Sequence, residues 1–153
     1  NLNWLFTGEG TMFIDNAAIS KIPIYDIKAS AGFGRNGDFE HPPVKGFFEL
    51  DTTLLEKYKG RVRVVEVEGD SMSPTFLHGQ YVVFVENLIQ SDGIYIINKN
   101  GSILIKRIQF KPAENKMIII SDNPNYEKEI VDTKDFNGYI LVIGKVFFKV
   151  SGC

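Results

Sequence analysis

The chain has 153 residues, 44% hydrophobic and 24% charged, with a formal charge of −2, the profile of an ordinary globular domain without a basic nucleic-acid face of its own. Its single cysteine, Cys153, excludes an intrachain disulfide and a thiolate metal cluster and fits a reducing, cytoplasmic setting; no cofactor is expected. No apolar run reaches the ~18–20 residues needed to span a bilayer, so no membrane partner is expected.

Residues 1–20 read as a remnant of another domain with a linker, and residues 21–153 as one further domain. Leu2, Trp4, Leu5 and Phe6 are apolar, and Thr7-Gly8-Glu9-Gly10 ends any helix there. Ile22 to Ile27 is a short β segment, in which Pro23 suits a sheet edge. Ala31 to Pro43 carries three glycines and two prolines and reads as a long exposed loop, a kind that is often functional. Asp51 to Gly60 predicts the one helix, with Thr53 and Glu56 as a capping box and Leu54, Leu55 and Tyr58 as its apolar side.

The remainder reads as strands: Arg61–Val67, Gln80–Glu86, Gly93–Ile97, Ser102–Phe110, Lys116–Ile120 and Gly138–Val150. Asn100-Gly101 is a hairpin signal between two of them. Short strands with closely spaced turns predict a mostly β domain: a compact, partly closed antiparallel sheet with one short helix. The Ile-, Val- and Phe-rich stretch from Gly138 to Val150 is a candidate dimer interface.

The densest chemical signal is Gly69-Asp70-Ser71-Met72-Ser73-Pro74-Thr75, directly after a strand. Turns use these residue types, so Ser71 becomes a nucleophile only if a base can reach it. His41 and His78, the two histidines, lie in loops without an evident Asp partner and read as surface residues. Lys106 sits in the apolar strand Ile103-Leu104-Ile105-Lys106-Arg107-Ile108. A free lysine is about a thousandth neutral near pH 7.4, so a lysine base needs burial to lower its pKa by several units. A strand lysine facing solvent is the plain alternative.

Gly-Asp-Ser-Met-x-Pro-Thr, followed 35 residues after the serine by Ile-Lys-Arg on a strand, resembles the Ser-Lys peptidase domain of LexA, UmuD and phage repressors. Ser121-Asp122-Asn123-Pro124 resembles the Asn-containing turn that follows the lysine strand in that family. Tyr25 to Gly32 resembles the segment holding the family's Ala-Gly cleavage bond, and Asn1 to Gly10 resembles the close of a phage-repressor helix-turn-helix domain.

The resemblance implies the LexA/signal-peptidase-like β fold with a cleavage-site loop. It implies Ser71 as nucleophile, Lys106 as base, backbone N–H groups of Asp70 and Ser71 as oxyanion hole, and Ala31-Gly32 as the bond cut. It further implies a homodimer that can pair into tetramers. Cleavage would be triggered by a RecA filament in an SOS-type response, or replaced by control through an antirepressor. Operator DNA would be bound only through an N-terminal domain. A type I signal peptidase shares the serine box, but its anchor and Pro-Gly-Asp segment are missing here, and an UmuD-like polymerase subunit lacks the helix-turn-helix remnant. A non-catalytic dimerisation module would keep the fold with Ser71 and Lys106 as relics.

Overall fold

β-Branched and aromatic residues dominate the alternating stretches, and they form nine strands in the computed structural model, which describes residues 19–27, 43–51, 53–135 and 140–150. The strands are β1 (Ile19–Tyr25), β2 (Val44–Asp51), β3 (Val62–Glu66), β4 (Tyr81–Glu86), β5 (Gly93–Lys99), β6 (Ser102–Lys111), β7 (Lys116–Ile120), β8 (Glu129–Asp132) and β9 (Ile140–Val150). They make one mixed sheet in the order β2-β1-β3-β4-β9-β5-β6-β7-β8. Neighbours are antiparallel except β1 and β3, which run parallel over Ile24↔Val64 and Tyr25↔Val65. The cleavage-site candidates Ala31 and Gly32, together with His41 and residues 1–18, lie outside the described residues.

Central strands read as continuous apolar runs because both faces are covered. In β4, Val82, Val83, Phe84 and Val85 have no exposed surface. One core cluster joins Tyr25 and Val65 to Met72, Phe76, Phe84, Ile96, Ile103 and Ile105. It therefore contains residues of β3 and β6, which stand four places apart in the sheet. Only a curled sheet brings these strands together, as expected for a partly closed architecture. Asn100 (φ 53°) and Gly101 (φ 90°) turn the β5–β6 hairpin with both residues in the left-handed region, and Asn98 Oδ1 accepts the Gly101 N–H at 2.9 Å.

Three local expectations are corrected. The expected helix is a 3-10 segment, Thr53–Tyr58, broken at Leu55 (φ −112°, ψ 21°). Its start is capped by Asp51, whose Oδ1 accepts both the Thr53 N–H (3.0 Å) and the Thr53 hydroxyl (2.6 Å). A piece this short does not repay α-helix nucleation, whereas burying Leu55 and Tyr58 holds it in place. Pro23 is not on an edge strand, since β1 lies between β2 and β3; the ladder to β3 begins only at Ile24, which leaves Pro23 outside it. The edges are β2 and β8, two strands absent from the sequence reading.

Gly144 in β9 is a point where backbone passes backbone. A Cβ there would lie 2.2 Å from the Val85 carbonyl oxygen, and the central strands cannot yield that distance. Gly144→Ala is expected to lower the unfolding free energy by about 3 kcal/mol in urea titrations. Gly46→Ala, whose Cβ would meet only Ile24 Cδ1 at 3.7 Å, is expected to change it by less than about 1 kcal/mol.

Candidate active site

Ser71 rides on the 14-residue connection between β3 and β4. The neck of this excursion is closed by Val67 N–H to Gln80 O (2.7 Å) and Gly79 N–H to Val67 O (2.9 Å). Inside it, Ser73 N–H donates to Asp70 O and Phe76 N–H to Met72 O, while Met72 and Phe76 sink into the core beneath. Gly69 enters the turn at φ +79°, a backbone setting that disfavours a side chain. Its N–H donates to His78 Nδ1 at 3.0 Å, so His78 supports the turn's backbone and not the serine hydroxyl. The amides of Asp70 and Ser71 make no hydrogen bond to any described residue.

Ser71 lines a cavity of ≈ 90 Å³ with Ile27, Val67, Met72, Ile103 and Leu104. That volume suits a small side chain. Ile27 is the second residue after β1, and the end of β1 is firmly held. Tyr25 packs edge-on to Phe84 at 6.2 Å, accepts from Arg63 Nε at 2.7 Å, and donates to Glu86 Oε2 at 2.9 Å. Burial above all pushes the Tyr25 phenol up to about 12. One residue on, Asp26 N–H donates to Pro43 O at 2.9 Å, pinching together the two ends of the segment between them.

Lys106 sits mid-β6, half-buried, beside a second cavity of ≈ 210 Å³ lined also by Lys99, Leu104, Ile119, Ser121, Tyr126, Glu127 and Glu129. Burial holds its amine below the ordinary lysine range, and the positive charge of Lys99 adds to the effect. Its Nζ donates to Ser121 Oγ at 2.8 Å and lies 5.7 Å from the Tyr126 ring centroid. Among the described residues no hydrogen bond joins Lys106 to Ser71 directly. Leu104 lines both cavities. A second lysine–serine contact, Lys145 Nζ to Ser91 Oγ at 3.2 Å, is exposed and lacks this burial.

The segment 121–126 ties the serine turn to the lysine strand. Asn123 N–H donates to Ser71 O at 3.0 Å, and Asn123 Nδ2 donates to Asp70 O at 2.9 Å. Asp122 accepts two bonds from Arg107, both 2.8 Å, and one from the Thr75 hydroxyl at 2.5 Å. Its N–H reaches Met72 Sδ at 3.4 Å, and the Tyr126 hydroxyl donates to Asp70 Oδ1. The sequence marks this turn by its likeness to the family alone. It assigns no role to Ser121, Asp122 or Tyr126, because their contacts lie 15 to 56 residues away in the chain.

Arg107 holds the Asp122 carboxyl below the usual carboxylate range, with burial opposing and Thr75 adding. A group whose folded pKa lies below its unfolded value of about 3.9 stabilises the fold above that pH, and the gain is lost as pH falls through the folded value. Asp122→Asn is therefore expected to cost about 2 kcal/mol at pH 7. The gap from wild type should narrow toward pH 3, as read by urea unfolding at both pH values.

No curated protein matches the chain. The family model described as Peptidase S24-like matches residues 23–147, a span that runs from β1 through the serine turn and the lysine strand into β9. This chain belongs to the Peptidase S24-like family of serine peptidases, the family of LexA, UmuD and the phage repressors.

Proposed function

We propose that the chain is the dimerising, self-cleaving domain of a phage-type or LexA-like transcriptional repressor, cutting its own Ala31-Gly32 bond with Ser71 as nucleophile and Lys106 as base. One observation carries this reading: Ile27 lines the cavity that Ser71 lines. Ala31 is four residues further on, a reach of at most ~14 Å. The Asp26 N–H bond to the Pro43 carbonyl holds the two ends of the segment between them close together. Attack within one molecule then avoids the entropy cost of bringing two molecules together.

In this reading Ser71 Oγ bonds to the Ala31 carbonyl carbon as neutral Lys106 accepts the hydroxyl proton. The oxyanion is met by the Asp70 and Ser71 amides, which have no hydrogen-bond acceptor among the described residues, and this supports the role. The C–N bond to Gly32 breaks as Lys106 returns the proton to the leaving amine, and water then hydrolyses the Ser71 ester. Induction by a RecA filament would favour the conformer with the bond docked; an antirepressor would act without cleavage. Dimers would form through this domain, and operator DNA would be bound through a separate N-terminal domain.

A second reading, a non-catalytic dimerisation module, is favoured by the Lys106 hydrogen bond to Ser121 instead of Ser71. Incubation from pH 7 to 10, followed by intact mass, separates the two. Self-cleavage predicts fragments ending at Ala31 and beginning at Gly32. The rate should rise with pH as Lys106 loses its proton and level off below the ordinary lysine pKa of about 10.4, because its own value is lowered. Ser71→Ala and Lys106→Ala should stay whole. A wild type that remains intact at pH 10 supports the non-catalytic module.

A further inference from the structure

We propose that Ser121 is a positioning residue for Lys106, its hydroxyl oxygen accepting one N–H of the amine and so directing the nitrogen lone pair. The inference rests on the reading of Ser71 and Lys106 as nucleophile and base, and assigns a role to a residue which that reading left unused.

Strand register places the two side chains together. β6 and β7 pair with Arg107 opposite Ile120, and one step further sets Lys106 opposite Ser121 on the same face. Ser121 in turn is held by its successors, since Asp122 and Asn123 are bonded to Arg107, Thr75 and the carbonyls of Asp70 and Ser71. Its oxygen therefore has a defined place relative to the serine turn.

The chemistry of the acceptor matters as much as its place. A neutral amine has two N–H bonds and one lone pair, on a four-carbon stem with much rotational freedom. An acceptor for one N–H selects a rotamer and aims the lone pair elsewhere. A carboxylate in that position would also favour the ammonium and disable the base. The charged groups facing Lys106 are Lys99 from β5, Glu129 from β8 and Glu127 from the loop, with the Tyr126 ring beside it. Glu129 is engaged by Lys99, and the amine's hydrogen bond goes to a hydroxyl. That arrangement orients the amine without pinning its proton.

The test has two readouts on the full chain. In uncleavable Ser71→Ala protein, the carbon-13 signal of Lys106 Cε is titrated with and without a second change at position 121. Ser121→Asp should raise the lysine midpoint by about one unit, and Ser121→Ala should lower it, because the ammonium loses an acceptor. In protein with Ser71 intact, Ser121→Ala should reduce the plateau rate of self-cleavage by about 10- to 100-fold, and Ser121→Thr should restore most of it. Unchanged midpoints in both doubly substituted proteins overturn the proposal. So does a wild-type plateau rate in Ser121→Ala, a Ser121→Thr protein as slow as Ser121→Ala, or a fluorophosphonate adduct on Ser121 in place of Ser71. If wild type never cleaves, the self-cleavage reading fails on its own, and the titration still decides whether Ser121 holds Lys106.

Discussion

Asn123 is the point on which the serine turn depends. Its backbone N–H and its side-chain amide take the carbonyls of Ser71 and Asp70, two successive peptides of an excursion with few ladder bonds of its own. An unbraced loop of that length would sample many conformations, and these bonds give Ser71 a defined place. Asn123 is itself fixed through Asp122, which is gripped by Arg107 from β6 and Thr75 from the turn. The position of Ser71 is thus transmitted from the register of β6 against β7, a property of rigid sheet, and not from the turn's own sequence.

The same segment organises charge. Arg107 is neutralised by Asp122, and Lys99 by Glu129, so two of the three cations in this part of the sheet have carboxylate partners. Lys106, between them, faces a hydroxyl and an aromatic ring. Each pKa unit by which burial lowers the amine costs about 1.36 kcal/mol of differential stabilisation. Leu104 and Ile119 line the cavity beside Lys106, and the burial of such apolar side chains offsets that cost. The exposed Lys145–Ser91 contact shows by contrast that a lysine near a serine is common chemistry, and that burial is what distinguishes Lys106.

The end of β1 has a comparable role on the other side of Ser71. The Tyr25–Arg63–Glu86 network joins β1 to β3 and β4 through partly buried, mutually satisfied groups. Ile27 is delivered to the serine cavity as a consequence, and the Asp26–Pro43 bond returns the chain to β2 at the same place. The two ends of the insertion between β1 and β2 are therefore tied to each other, and the β1 end reaches the Ser71 cavity through Ile27.

Much of the β framework was legible from alternation and turn residues: seven of the nine strands, the Asn100-Gly101 hairpin and the turn bearing Ser71. Strands β2 and β8 were missed because edge strands carry charged and exposed residues such as Lys45, Glu49 and Glu129, which dilute the apolar pattern. The helix expected over 51–60 failed because propensity and capping signals cannot outweigh the nucleation cost of so short a segment. Ser71 and Lys106 stood out as residues, by motif and by the apolar run around the lysine. Their setting did not, since it is made of contacts between distant stretches: Ser121 opposite Lys106, Asp122 against Arg107, Asn123 beneath Asp70 and Ser71. Residue types and their periodicity determined which segments form strands and where the turns fall. Only the tertiary structure decided which hydroxyl meets the half-buried amine, because that choice depends on strand register and on the curvature of the sheet.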